Sequence, residues 1–178
     1  AQTIPDKNLE AALRSLVFEK RDKTDPLTDD DLRKIFVLEA KGKGIRDLKG
    51  LEKCTSLQLL NLAKNEITDL TPIAGLANIQ SLDLSNNKIA DAAPMAKLAA
   101  LQFLEISNNQ IASLEPLAEL SKVSALYAAG NKITDIKPIG KLTGLSSLDL
   151  ANNQIVDIGP LATVMRLSLL KLNDNRVE

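Results

Sequence analysis

Carboxylates are the side chains of this sequence best suited by type to do chemistry. The rest of its catalytic repertoire is thin. Histidine is absent from all 178 residues, which removes the commonest general base and the commonest metal ligand together. The single cysteine, Cys54, has no partner for an internal disulfide and no imidazole to activate it. No glycine-rich loop is spaced to cradle a phosphate. Asp83 and Glu105 stand 22 residues apart, and on adjacent strands they would have the separation of a retaining glycosidase pair. That chemistry needs a desolvated acid and a platform for sugar, and the chain has no Trp. Asp22, Asp25, Asp29, Asp30 and Asp31 form a second acidic group. It lacks the D-x-[DN]-x-[DN]-G order and the closing Glu of a calcium loop, so helix capping and a solvated loop account for it. The Lys and Arg residues between 41 and 53 have no interleaved aromatics and have acids nearby, which argues against nucleic acid. No catalytic residue, metal ligand or cofactor is assigned.

The bulk properties exclude more. Net charge is −1, so nothing draws the whole chain to nucleic acid or to a membrane surface. Apolar residues make up 44% and mean hydropathy is −0.04, the balance of a globular domain. No apolar run approaches the roughly 20 residues of a membrane span. Aromatics are only 2%, so the core must be aliphatic. The chain begins Ala1-Gln2 without Met, as after removal of a signal peptide or after a cut at an arbitrary boundary.

The positions of the candidate acids are fixed by a repeat. Leu57, Ile79, Leu101, Val123, Leu145 and Leu167 recur every 22 residues, as do Asn65, Asn87, Asn109, Asn131, Asn153 and Asn175. Pro72, Pro94, Pro116, Pro138 and Pro160 keep the same step, and a degenerate copy with Lys43 in place of the Asn starts at Ile35. Each unit opens with an L-x-L core such as Leu82-Asp83-Leu84, a short strand whose Leu side chains point inward. The Asn follows where the chain leaves the strand, with an amide able to bond backbone groups of neighbouring coils. An Asp or Ser and then a Pro start a tight helical or 3-10 turn, and the small residue two after the Pro lets coils approach. This is an α/β solenoid of the leucine-rich-repeat kind: a curved parallel sheet, with turns or 3-10 segments on the convex side. Cys54 aligns with Leu76, Leu98, Leu120 and Leu142, a core position with an inert thiol.

Residues 1–34 do not repeat. Leu9, Ala12, Leu13, Leu16 and Val17 have helical spacing, and Thr28 to Asp31 reads as the capped start of a second short helix ending near Lys34. One continuous domain results, with a helical N-terminal cap over 1–34 and repeats over 35–178. The chain stops at Val177-Glu178 inside a repeat with no C-terminal cap, which predicts an edge covered by further residues of a longer protein or by self-association.

The repeat seen best in "LSSLDLANNQIVDIGPLATV" (145–164) resembles the internalin-type unit of bacterial surface proteins. A eukaryotic protein-phosphatase regulatory subunit has repeats of the same length. The opening "IPDKNLEAALRSLV" (4–17) is similar to the helical cap of secreted internalin-like proteins. The resemblance implies a secreted or surface-attached module, or a periplasmic one, that binds a protein on its concave face without enzyme activity. Internalins usually continue into an immunoglobulin-like domain, which the residues here do not include.

Two columns face outward from the strands. One is Val37, Leu59, Ser81, Phe103, Ala125, Ser147 and Leu169; the other is Glu39, Asn61, Asp83, Glu105, Tyr127, Asp149 and Lys171. Phe103 and Tyr127, diagonal neighbours flanked by acids, have the make-up of an interface anchor with a charged rim. The expected partner site is Phe103, Tyr127, Glu105, Asp83, Asp149 and Leu59, suited to a basic protein surface. The coil of Tyr127 also departs from the repeat, with Ala128 for the inward Leu and Gly130 before Asn131, and such departures often mark function. The plain alternative for these columns is an ordinary solvated strand face. Two other roles fit the same fold: an adhesive segment of a larger surface protein, and an intracellular regulatory subunit of an enzyme.

Overall fold

The computed structural model describes residues 4–178, so the Ala1-Gln2 start lies outside the described residues. Seven three-residue strands follow one another at the repeat spacing: β1 (Val37–Glu39), β2 (Leu59–Asn61), β3 (Ser81–Asp83), β4 (Phe103–Glu105), β5 (Ala125–Tyr127), β6 (Ser147–Asp149) and β7 (Leu169–Lys171). They pair in chain order as one parallel sheet. Register is a strict 22-residue step throughout, Leu82 opposite Leu104 and Leu104 opposite Leu126. Single 3-10 turns, among them Thr71–Ile73, Ala93–Lys97 and Glu115–Leu117, return the chain along the opposite side. A unit of 22 residues has room for nothing longer there. The protein is a leucine-rich-repeat solenoid.

The inward Leu and Ile column is fully buried from Leu38 to Leu148. Leu170, the equivalent residue of β7, is 44% exposed. The sequence predicts an inward Leu in every coil, but burial needs a neighbour on both sides, and none follows β7 in the structure. Cys54 is fully buried, and that burial, with Glu52 nearby, pushes its thiol up to about 12.

Asparagine links each coil to the one before it. Asn109 Oδ1 accepts the Ile89 N–H at 3.0 Å, and its Nδ2 donates to the Leu84 and Ile106 carbonyls at 3.0 and 3.1 Å. Asn65 accepts two N–H groups, from Lys43 and Ile45, which bridges the degenerate first coil. Asp69, Asp91, Asp135 and Asp157 each accept the N–H two residues on, from the first residue of the 3-10 turn; Ser113 does the same with its hydroxyl. The small residue after the Pro is needed at only some coils. A Cβ on Gly140 would lie 3.1 Å from the Pro160 carbonyl and Ala118 is buried, whereas Ala96 and Ala162 are exposed.

The residue before each ladder Asn is left-handed: Lys64, Asn86, Asn108, Gly130, Asn152 and Asp174 all have φ between 54° and 64°. Asn, Asp and Gly are the residues that tolerate this region. Gly130 is therefore the default choice for that turn and no sign of function, which corrects part of the reading of its coil.

The N-terminal cap comprises α1 (Lys7–Leu16) and α2 (Asp29–Arg33). Asp6 joins cap to repeat: Oδ1 accepts the N–H groups of Asn8 and Leu9, and Oδ2 those of Arg46 and Asp47. Arg14, which the sequence does not mark out, gathers the following loop by donating to the carbonyls of Lys20, Lys23 and Asp25. Leu9 and Leu13 are buried, but Leu16, expected on the same face, is largely exposed. Thr28 and Asp31 form a reciprocal capping box on α2. The acidic run is matched by cations, with Asp29 beside Lys53, Asp30 beside Arg33 and Asp31 2.6 Å from Lys20.

Burial raises the Asp31 pKa, but the Lys20 ammonium and the N–H and hydroxyl of Thr28 outweigh it and hold the carboxyl down to about 2. For Asp6, four backbone N–H donors likewise overcome burial and lower it. A carboxylate depressed in the folded state stabilises above its unfolded value of about 3.9, and that contribution is lost as pH falls through the folded value. The thermal midpoint should therefore hold between pH 7 and 5 and drop between about pH 4 and 2. Asp31→Asn should shrink the drop; an equal drop in the variant would show that other groups set the acid limit.

Candidate protein-binding face

Parallel pairing sets the two outward columns side by side across the sheet. Phe103 lies opposite Ser81 and Ala125, and Tyr127 opposite Glu105 and Asp149. Phe103 and Tyr127 meet diagonally across β4 and β5, ring centroids 5.7 Å apart and planes inclined at 44°. This tilted geometry is favourable for an aromatic pair, and the small side chain of Ala125 opposite Phe103 leaves room for it. Phe103 is 37% exposed and Tyr127 half-buried. Leu104 and Leu126 beneath them are fully buried.

The acids are less free than their types suggest. Asp83 Oδ1 accepts the N–H and the hydroxyl of Ser85 at 2.9 and 2.7 Å. Glu105 Oε1 accepts the Ser107 N–H, and Asp149 Oδ1 that of Ala151. Asn61 makes the same bond to Ala63. At β2, β3, β4 and β6 this column therefore has a structural task, closing the turn at the end of the strand. Asp149 is further neutralised, since its other oxygen lies 3.4 Å from Lys171 and its side chain is largely covered. It stands beside Tyr127 but offers little to a basic partner. A polar acceptor at the strand's last position, recurring two residues before a small residue, was the available signal for this role.

Tyr127, between two coils that close their turns in this way, does not. Its ring cannot close the turn in that way, and the Ala129 N–H instead donates to the Ser107 hydroxyl of the preceding coil at 3.2 Å. A neighbouring side chain has taken over the structural bond, and the aromatic ring is left for other use.

Leu59 is half-buried on β2, two strands from Phe103. It belongs instead with Val37, opposite it on β1 and 48% exposed, and with Phe36, 52% exposed. Sequence periodicity missed Phe36 because it precedes the strand. It also missed Phe18, which is 84% exposed on the cap with the Arg21 guanidinium 5.9 Å from its ring centre.

Comparisons with known proteins agree with this architecture. The family profile described as "Leucine Rich repeats (2 copies)" matches residues 77–119 and 122–163, and a single "Leucine Rich repeat" profile matches 53–70. No curated protein sequence matches significantly. Among solved structures, internalin C2 from Listeria monocytogenes is similar over 100% of this chain and 92% of its own, at 32% identity and a TM-score of 0.77. An internalin (inlF) from the same organism is 25% identical over 98% of this chain and 71% of its own, with a TM-score of 0.59. A leucine-rich-repeat protein of Leptospira interrogans is 25% identical over 85% of this chain and 41% of its own, with a TM-score of 0.74.

Proposed function

The chain belongs to the internalin family of bacterial leucine-rich-repeat proteins, and from that premise we propose that it is an exported, non-enzymatic module that binds a protein on the concave face of its sheet. Leucine-rich repeats of this kind are protein-interaction modules, and no helix among the described residues is long and apolar enough to cross a membrane. The observation that carries the site is the Phe103–Tyr127 pair, because the Tyr127 coil has handed its turn-closing bond to Ser107. Rigid aromatic rings on a preformed surface cost little entropy to bury, which suits them as anchors. Asp83 and Glu105 flank the pair and favour a basic partner surface. Secretion or attachment to the cell surface follows the family, with the periplasm as the other exported location.

The test compares the proteins retained by the immobilised chain with those retained by its Phe103→Ala, Tyr127→Ala double variant. Loss of partners with a nearly unchanged melting temperature is the expected result. Equal retention by both would place the binding surface elsewhere.

A further inference from the structure

The outward face is divided along its length. Across β1 to β5 the first column and its border are apolar at Phe36, Val37, Leu59 and Phe103, and the second column carries Glu39, Asp83 and Glu105. Among these ten column positions there is no Lys or Arg, and among the described residues no ion pair involves any of the three acids. The strand-end turns use only one carboxylate oxygen each of Asp83 and Glu105. Beyond β5 the first column is polar at Ser147 before turning apolar again at Leu169, and the second column holds the closed Asp149–Lys171 pair.

We propose that the occupant of this face is a cationic amphipathic helix of about four turns lying across β1 to β5. Its apolar stripe rests on Val37, Leu59 and Phe103, and its basic flank lies over Glu39, Asp83 and Glu105. This rests on the sheet face being the binding face and names what it binds.

Spacing selects the helix. Equivalent residues on neighbouring strands are about 4.8 Å apart, so β1 to β5 spans about 19 Å. A helix rises about 5.4 Å per turn, so four turns overrun that span by only about 2 Å. An extended peptide presents same-side residues about every 6.8 Å and slips by about 2 Å at every strand. The two columns are separated by two strand residues, about 6.7 Å, so one helix about 10–12 Å across with its side chains covers both. Ser81 between Leu59 and Phe103 leaves a notch about two strand spacings wide, where the third turn can place a bulky apolar side chain. At β5 the apolar path shifts to Tyr127, so the helix crosses slightly aslant.

The experiment uses three synthetic peptides titrated into the isotopically labelled full chain and followed by NMR. One carries leucines at i, i+3, i+4 and i+7 flanked by lysines, one is its scramble, and one has glutamates for the lysines. The first should bind saturably, with shift changes confined to β1 to β5. Its affinity should be about tenfold above that of the scramble and fall by about as much in high salt. The triple variant Glu39→Gln, Asp83→Asn, Glu105→Gln keeps the turn-closing acceptors and should lose that salt dependence. Equal binding by scramble and helix, or shift changes centred elsewhere, would overturn the proposal. If no peptide binds while the double aromatic variant still loses its partners, the helical occupant is wrong and the face stands. If the amphipathic peptide binds there while that variant keeps its partners, the face accepts helices but is not where those partners dock.

Discussion

Asn109→Ala should lower the unfolding free energy by about 3 kcal/mol, as measured in urea with an unchanged denaturant slope. Asn109 is buried, and its Oδ1 is the acceptor for the N–H of the fully buried Ile89. An orphaned buried donor costs about 1–3 kcal/mol. The two carbonyls it serves are not wholly abandoned. Leu84 O also accepts the Asn87 amide and Ile106 O the Asn131 amide, so each loses one of two bonds, at a cost nearer the low end of that range. The same change at Asn175, whose surroundings are more open, should cost about 1 kcal/mol because water replaces the lost partners. Equal costs at the two positions would refute the view that the ladder acts by satisfying backbone shielded from water.

A second large effect is Leu104→Ala, expected at about 3 kcal/mol, since it removes a fully buried side chain packed between Leu82 and Leu126 and the stacked coils have little freedom to close the cavity. Leu170→Ala, at the same position of β7 but half open to water, should cost less than about 1 kcal/mol. Similar losses at both would mean that stability is not the nearest-neighbour sum expected of stacked repeats.

The sequence made the fold legible because each inward residue, ladder Asn and turn proline is dictated by its own coil and the next. The capping box at Thr28 and Asp31 was legible for the same local reason. The candidate site was only partly so. Periodicity identified Phe103, Tyr127, Asp83 and Glu105 as outward, and the structure brings the two aromatic rings together. It could not show that Asp83, Glu105 and Asp149 close turns, because that depends on which rotamer reaches back to the backbone. Asp149 is available by residue type alone, but Lys171 pairs with it across the strands. Leu59 looked like part of the aromatic patch but groups with Val37 and Phe36, the latter outside the repeating strand positions. Arg14 carries no sequence signal because its partners are carbonyls of an irregular loop.

The asparagine ladder also has a polarity. Every amide reaches toward the N-terminus: Asn65 to Ala40, Asn87 to Leu62, Asn109 to Leu84, Asn131 to Ile106, Asn153 to Ala128 and Asn175 to Leu150. A turn of the chain newly released by the ribosome thus finds its docking groups already in place, while groups on its own far side wait for the turn not yet made. With all such pairings only about one repeat apart, no segment has to search for a distant mate. The molecule can be wound up in the order in which it is translated.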